Sequence, residues 1–326
     1  MDEQDIEFGR LLWEEKIRHP YELKHITGLM DLEHLAEDHI YRFLVRLTNL
    51  QFANVGLGGT RGKTLEAPLH FAIVEGTGTV GNAHTFPVGG YRAVLFERVL
   101  VDSMWNLSEQ FVHRNRDLVL LQWAPKTPPK VVTQLLFLMQ ASVFNSHEFT
   151  HVASEHGSGG QDADKVRFRA EELEADLWGL FLCLTSYFSL EGRNGVSAFL
   201  GLGGKALENS ALESFLTAIM LVQCSRWSRN LEAESIPAFN YPPPALRLRY
   251  AMRIIEMWCR EVENVPTTFL IDGTVPRLFE RVIGLFPDQM KESWKGEVAW
   301  LESPASLGYR QELEDEFQRL RAGAES

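Results

Sequence analysis

The pattern of apolar positions between residues 127 and 156 predicts a long, buried helix. Leu136, Met139 and Val143 follow one another at spacings of three and four residues, and His147 continues the same stripe. Positions at these spacings share one face of an α-helix, so this face is apolar and turned toward a core. A threonine–proline pair before the stripe and a run of glycines after it bound the helix at about residues 127 and 156.

Similar apolar patterns predict helices over much of the chain. Before residue 50 the pattern gives two helices of mixed charge, separated near His19-Pro20, where proline ends a helix. The last predicted helix carries Leu313, Phe317 and Leu320 on one face. The predicted helices cover about residues 5–50, 127–156, 164–190, 205–230, 245–263, 275–285 and 311–321.

The segment between the first and the later helices is rich in β-branched and aromatic residues. Leu69–Val74 and Tyr91–Asp102 are predicted strands, and Leu118–Trp123 is a further candidate. The order of helices, a small mixed sheet and more helices favours an α+β fold. This order predicts a first lobe at residues 1–126 and a helical lobe at residues 127–326. The alternative is that both form one continuous unit.

The composition narrows the classes of function. The chain is 45% hydrophobic and 23% charged, so it can form a packed core. Its formal net charge of −12 disfavours binding to nucleic acid, whose phosphates attract lysine and arginine. The apolar runs are too short for a membrane span, and the N-terminus has no signal-peptide pattern. Three cysteines without metal-type spacing favour a reducing, cytoplasmic location.

Residues His147-Glu148-Phe149-Thr150-His151 form an HExxH motif within the predicted buried helix. Histidines four residues apart share a helix face, so both imidazoles can bind one zinc ion. The glutamate after the first histidine can take a proton from a zinc-activated water. The motif predicts a catalytic Zn2+ site with His147 and His151 as ligands and Glu148 as the base. The alternative is a pair of helix histidines without a metal.

A catalytic zinc site needs a third protein ligand. The chain has no histidine after His156, so a ligand further downstream has to be a carboxylate. The metzincin pattern requires glycine at position 154 and histidine at position 157, where this chain has Ser154 and Gly157. His156 itself, one residue short of that position, stays open as an alternative ligand.

The carboxylate candidates lie on the next predicted helix. Glu172 and Asp176 are four residues apart and share a face, and strongly apolar sequence follows Asp176. We expect Glu172 to bind zinc and Asp176 to accept the free ring N–H of His147, because a carboxylate in apolar surroundings needs a partner. The alternative is an acidic first helical turn, which the helix dipole favours and which Glu171 and Glu174 fit.

Together, the two motifs resemble the gluzincin arrangement of zinc peptidases. More narrowly, HEFTH followed by ELEAD is similar to the CAAX-processing and heat-shock metallopeptidases, and more loosely to Lit-type phage-exclusion peptidases. Many members of the first family have transmembrane helices, from which this chain departs. The resemblance implies a zincin-like fold and an edge strand that aligns the substrate, for which Arg92–Asp102 is the candidate.

A third stretch extends the resemblance. The family often has a His-Pro-Pro stretch with an arginine six residues after the histidine, and here Tyr241-Pro-Pro-Pro leads to Arg247, with tyrosine in place of histidine. The resemblance implies that Tyr241 lies near the metal, where its hydroxyl would stabilise an oxyanion. The alternative is a proline-rich loop before a helix, in which Arg247, Arg249 and Arg253 form a solvated or salt-bridged stripe.

The resemblance implies a zinc-dependent endopeptidase that hydrolyses peptide bonds of a protein or peptide substrate. In that reaction Glu148 also passes the proton to the leaving amine. Two alternatives stay open. One is a catalytically silent zincin that acts as a regulatory or binding module, and the other is a zinc hydrolase with a non-peptide substrate.

Overall fold

The computed structural model describes residues 3–18, 23–36, 39–56, 67–78, 81–154, 156, 165–226, 236–237, 241–261 and 273–324. These residues form a mixed α+β fold in which helices predominate and a small sheet lies in the first third of the chain. No helix within these ranges is long and apolar enough to cross a membrane. The combination of many helices with one small mixed sheet confirms the predicted α+β class.

The sheet contains β1 (Ile26–Leu29), β2 (Leu69–Gly76), β3 (Ala83–Val88) and β4 (Tyr91–Glu97). Across the described residues the strand order is β1-β2-β4-β3, with β2 parallel to β4 and both outer pairs antiparallel. The two inner strands carry unbroken runs of buried residues, as strands covered on both faces require. The predicted strand Leu69–Val74 is confirmed as β2.

Helices make up most of the rest of the described chain. They are α1 (Glu3–Arg18), α2 (Ile40–Gly56), α3 (Arg98–Arg114), α4 (Arg116–Leu118), α5 (Pro129–Ala153), α6 (Lys165–Phe188), α7 (Leu190–Leu200), α8 (Gly204–Ser225), α9 (Pro244–Glu261), α10 (Val275–Ile283), α11 (Asp288–Glu302) and α12 (Ser306–Ala324). The long predicted helices at 127–156 and 164–190 correspond to α5 and α6.

The predicted strand Tyr91–Asp102 is wrong in its second half. Its strand ends at Glu97, and α3 begins at Arg98. Moreover, β4 lies between β2 and β3, so its hydrogen-bonding groups are already paired on both sides. Arg92–Asp102 is therefore not an edge strand, and it cannot align a substrate as an added strand. The candidate strand Leu118–Trp123 is also wrong, because it forms the end of α4 and a π-helical turn.

Two strands were not expected from the sequence pattern. β1 has only four residues and includes Gly28, and β3 includes Pro87, and both residue types are poor strand signals. Both are held in place by pairing with the buried inner strands. Tertiary contact, rather than local preference, therefore decides the outer half of the sheet.

The chain divides into two compact units, residues 1–106 with 151–155, and residues 107–150 with 156–326. The division predicted at residue 126 stays a prediction. In the first unit, Phe8 and Leu12 of α1 pack with Val74 and Leu95 of the sheet in one buried cluster. The side-chain amide of Asn49 in α2 bonds to both backbone groups of Phe71, which fastens that helix to β2.

Candidate metal centre

Helix α5 positions the HExxH residues, and most of its circumference is buried. Leu136, Met139 and Val143 are buried as the apolar stripe predicts, and His147 is only 4% exposed. Glu148 is 7% exposed, so the motif does not lie on a solvated helix face. The predicted core-facing orientation of the helix is confirmed.

Helix α6 runs antiparallel to α5 at very close range. The hydroxyl groups of Ser142 and Tyr187 are 2.9 Å apart at one end of the contact, and Gly179 lies against the backbone of His147 further along. A Cβ atom at position 179 would be 2.7 Å from the backbone nitrogen of His147, which is too close for any side chain. The glycine therefore lets α6 approach the first histidine of the motif.

This approach brings Glu172 to the two histidines. The ligand atoms of His147, His151 and Glu172 all lie within 4.8 Å of one another. Nε2 of His147 is 3.6 Å from Oε2 of Glu172. In a tetrahedral zinc site with ligand bonds of about 2.0–2.1 Å, neighbouring ligand atoms are about 3.4 Å apart. The spacing and the donor set, two imidazoles and a carboxylate, therefore fit a zinc ion.

Asp176 lies beside the other ring nitrogen of His147. Oδ1 of Asp176 is 2.9 Å from Nδ1 of His147. This contact favours the tautomer with a proton on Nδ1 and leaves the lone pair of Nε2 on the side of Glu172. Glu172 thus lies near one ring nitrogen of His147, and Asp176 lies near the other.

Two arginines surround Asp176. Arg247 of α9 donates from Nε to one carboxylate oxygen, and its Nη2 donates to Oδ1 at 2.7 Å. Arg226, at the end of α8, donates to Oδ1 at 3.3 Å. Burial alone would raise the pKa of Asp176, but Arg247, His147 and Arg226 hold it well below the usual value. These partners therefore favour the anionic form of Asp176.

Arg247 also faces the predicted ligand Glu172, with Nη2 at 3.5 Å from its Oε2. Its side chain is 5% exposed, which excludes the solvated stripe considered for Arg247 from the sequence. Burial lowers the pKa of Arg247, but Asp176 and Glu172 more than offset it, so the pKa is raised overall. The arginine of the proline–arginine stretch is thus part of the buried network around the HExxH helix.

Tyr241 lies beside the same network, although its side chain is the most exposed of the group. Its ring meets that of Phe168 edge-on, with centroids 5.2 Å apart. Partial burial raises the pKa of its hydroxyl, and the negative charges of Glu172 and Glu148 raise it further. The phenol therefore stays protonated and able to donate a hydrogen bond.

His156 is not one of the three residues whose ligand atoms are grouped. Its Nε2 lies 3.1 Å from Oε2 of Glu174, and both side chains are almost fully buried. Glu171 is also buried, and it accepts a hydrogen bond from Arg167 at 3.0 Å. The acidic-first-turn explanation for these two glutamates is wrong, because α6 begins at Lys165 and both lie in later turns.

Sequence reasoning missed Gly179 and Arg226. A signal for Gly179 exists in the small residues at 142 and 146 of α5 and at 179 and 183 of α6, each pair four apart and thus on one helix face. The thiol of Cys183 contacts the hydroxyl of Ser146 at 3.1 Å along this seam. Arg226 had no such signal, because its place depends on how α8 packs.

Comparisons with models of protein families, with curated proteins and with solved structures find no match to this chain.

Proposed function

We propose that this chain is a zincin-like zinc metalloendopeptidase, located in the cytoplasm, that hydrolyses peptide bonds of a protein or peptide substrate. The observation that carries the proposal is the meeting of His147, His151 and Glu172 on two helices, with Asp176 against the far nitrogen of His147. An HExxH sequence can also stand on a helix that binds no metal. Here the buried carboxylates of α6 lie beside both ring nitrogens of His147, Glu172 at Nε2 and Asp176 at Nδ1. A metal-binding imidazole usually has such a hydrogen-bond acceptor at its second nitrogen.

The proposed chemistry divides among the residues as follows. When bound, zinc would polarise a water molecule and the carbonyl group of a peptide bond. Glu148 accepts the proton of that water and delivers it to the leaving amine. Tyr241 donates its hydroxyl proton in a hydrogen bond to the oxygen that becomes negatively charged. Asp176 and Arg247 fix the imidazole of His147, since both are locked in a buried ion pair.

The test separates metal binding from proton transfer. Glu148→Gln preserves shape and removes the base, so we expect it to keep the zinc content of the wild type and to lose cleavage. His151→Ala should contain one zinc equivalent less than the wild type. Substrates are identified as proteins whose new N-termini appear in cells that express wild type and not in cells that express Glu148→Gln. Equal cleavage by the two proteins contradicts the role of Glu148, and equal zinc content of wild type and His151→Ala contradicts the site.

The burial of the site supports a second candidate, a catalytically silent zincin that acts as a binding or regulatory module. His147, Glu148 and Glu172 are each less than a tenth exposed, so a polypeptide substrate reaches them only if the surrounding chain opens. This candidate predicts bound zinc and no new N-termini in the same comparison. A zinc hydrolase of small non-peptide substrates would instead cleave model esters and leave peptides intact.

A further inference from the structure

A second group of metal-type ligands lies at one end of the sheet in the first unit. It consists of His25, His84 and Glu97, whose ligand atoms all lie within 4.8 Å of one another. His25 is in the turn just before β1, His84 is in β3 and Glu97 is the last residue of β4. From these positions we propose that they form a second site for a divalent cation of the zinc type.

The distances match ligands of a single ion. Nε2 of His25 is 3.0 Å from Nε2 of His84 and 3.4 Å from Oε1 of Glu97, and Nε2 of His84 is 2.9 Å from the same oxygen. Ligand atoms of a tetrahedral zinc ion are about 3.4 Å apart when the bonds are about 2.0–2.1 Å long. The three atoms, 2.9–3.4 Å apart, form a slightly smaller triangle than one face of such a tetrahedron, and the fourth position is left for water.

Hydrogen bonding alone does not satisfy this triangle. If both imidazoles carry a proton on Nε2, two donors face each other at 3.0 Å. If either nitrogen is unprotonated, its lone pair faces a side-chain oxygen of Glu97 within 3.4 Å. A cation at the centre attracts all three atoms at once, whereas a single proton lies between only two of them.

The strand order creates the opening for this group. His25 precedes one edge strand, β1, and His84 lies in the other edge strand, β3, with β2 and β4 between them. The end of β2 at this point is Gly76, and a Cβ atom there would lie 3.3 Å from a carboxylate oxygen of Glu97 and 3.5 Å from the carbonyl oxygen of His25. The backbone N–H of Thr77 donates to that carbonyl at 2.9 Å, which holds the turn in place. Because Gly76 has no side chain, His25 from one edge of the sheet can reach His84 and Glu97.

Burial agrees with a bound ion that can exchange with solvent. The carboxylate of Glu97 is 4% exposed, and the two imidazoles are 24% and 23% exposed. Two nitrogens and one oxygen suit zinc, which is of intermediate softness, better than magnesium or calcium, which prefer oxygen ligands. Such an ion would fasten the turn before the four-residue strand β1 to the inner strand β4. Two lysines lie near enough to act on His25, Lys24 and Lys16, and the amino group of Lys16 donates to the carbonyl of Ile26.

The test measures zinc bound per chain after loading with Zn2+ and removal of free metal by dialysis. Wild type should bind one equivalent more than His84→Ala. Glu97→Gln keeps the shape of the side chain and should weaken the same equivalent tenfold or more. His70→Ala is the matched control, because His70 lies on β2 of the same sheet but is not in the group, and it should bind as wild type does.

The difference is measured again in the His151→Ala background, so the result does not depend on the α5–α6 site. There too, wild-type residues at 25, 84 and 97 should give one more zinc than His84→Ala. A chelator should lower the thermal midpoint of the His151→Ala protein and leave that of the double variant unchanged. Equal zinc content with and without His84 and Glu97, in proteins with native circular dichroism, overturns the proposal. If His84→Ala does not fold, Glu97→Gln alone gives the decision.

Discussion

Gly179 makes a sharp prediction, because an alanine there should be harmful despite its better helix propensity. In the interior of an exposed helix, replacing glycine by alanine stabilises by about 1 kcal/mol. Position 179 differs because the added Cβ would lie 2.7 Å from the backbone nitrogen of His147 and 2.8 Å from the carbonyl carbon of Ser146. Non-bonded carbon atoms prefer about 3.5–4.0 Å, so the helices would have to separate by about 1 Å.

The matched control is Gly195→Ala in α7. Gly195, like Gly179, is inside a helix, but it is exposed, and a Cβ atom there would meet no atom within 4 Å. Both variants gain the same propensity term, so the difference between them isolates the helix–helix contact. We expect Gly195→Ala to be neutral or stabilising and Gly179→Ala to be less stable than it by about 1–3 kcal/mol, the usual cost of overpacking.

Two measurements follow from this reasoning. Urea unfolding gives the free-energy difference between the two variants, and competition with a coloured chelator gives their zinc affinity. A separation of about 1 Å exceeds the roughly 0.5 Å tolerance of a binding constellation, so Gly179→Ala should also bind zinc at the α5–α6 site more weakly. A Gly179→Ala protein as stable as Gly195→Ala and with the zinc affinity of wild type would refute the close contact between the helices.

Three further predictions concern the same unit. Asp176→Asn should destabilise by about 3–5 kcal/mol in urea unfolding and weaken zinc binding about 10–100-fold, because it removes the carboxylate to which Arg247 and Arg226 both donate. Asp117→Asn breaks a more exposed pair with Arg281 and should change neither measurement appreciably. Tyr241→Phe should keep its zinc but lower the turnover number by about 10–1,000-fold on any substrate identified, and an unchanged turnover number would exclude the hydroxyl from the reaction. Burial raises the pKa of the Cys183 thiol from 9.0 to about 12, so its alkylation near pH 8 should be about a thousandfold slower than that of an exposed thiol and should speed up on unfolding.

Much of the candidate centre could be read from the sequence, because its spacing is a local property of helices. The four-residue interval between His147 and His151, and that between Glu172 and Asp176, puts each pair on one face whatever the rest of the chain does. The apolar stripe leading to His147 also fixed which face is buried. Asp176, which we expect to be the partner of His147, lies 2.9 Å from its Nδ1.

The errors arose where tertiary contact overrides a local pattern. The β-branched residues after Glu97 fit a strand, yet they form the start of α3. The buried strand that the pattern did identify lies in the middle of the sheet rather than at its edge, because pairing order is not encoded by periodicity. Glu174 is not in the first turn of α6, which begins at Lys165, and it pairs with His156 from outside that helix.

The sequence by itself determined the α+β class, the long helices α5 and α6, and the face on which each candidate ligand lies, because these follow from periodicities of a few residues. Only the tertiary structure decided how closely the two helices approach, which arginines neutralise Asp176, and that His25 meets His84 across 59 residues of chain. Those outcomes depend on which distant segments pack together, and packing is settled by the shape and volume of whole surfaces rather than by the order of residues along one element.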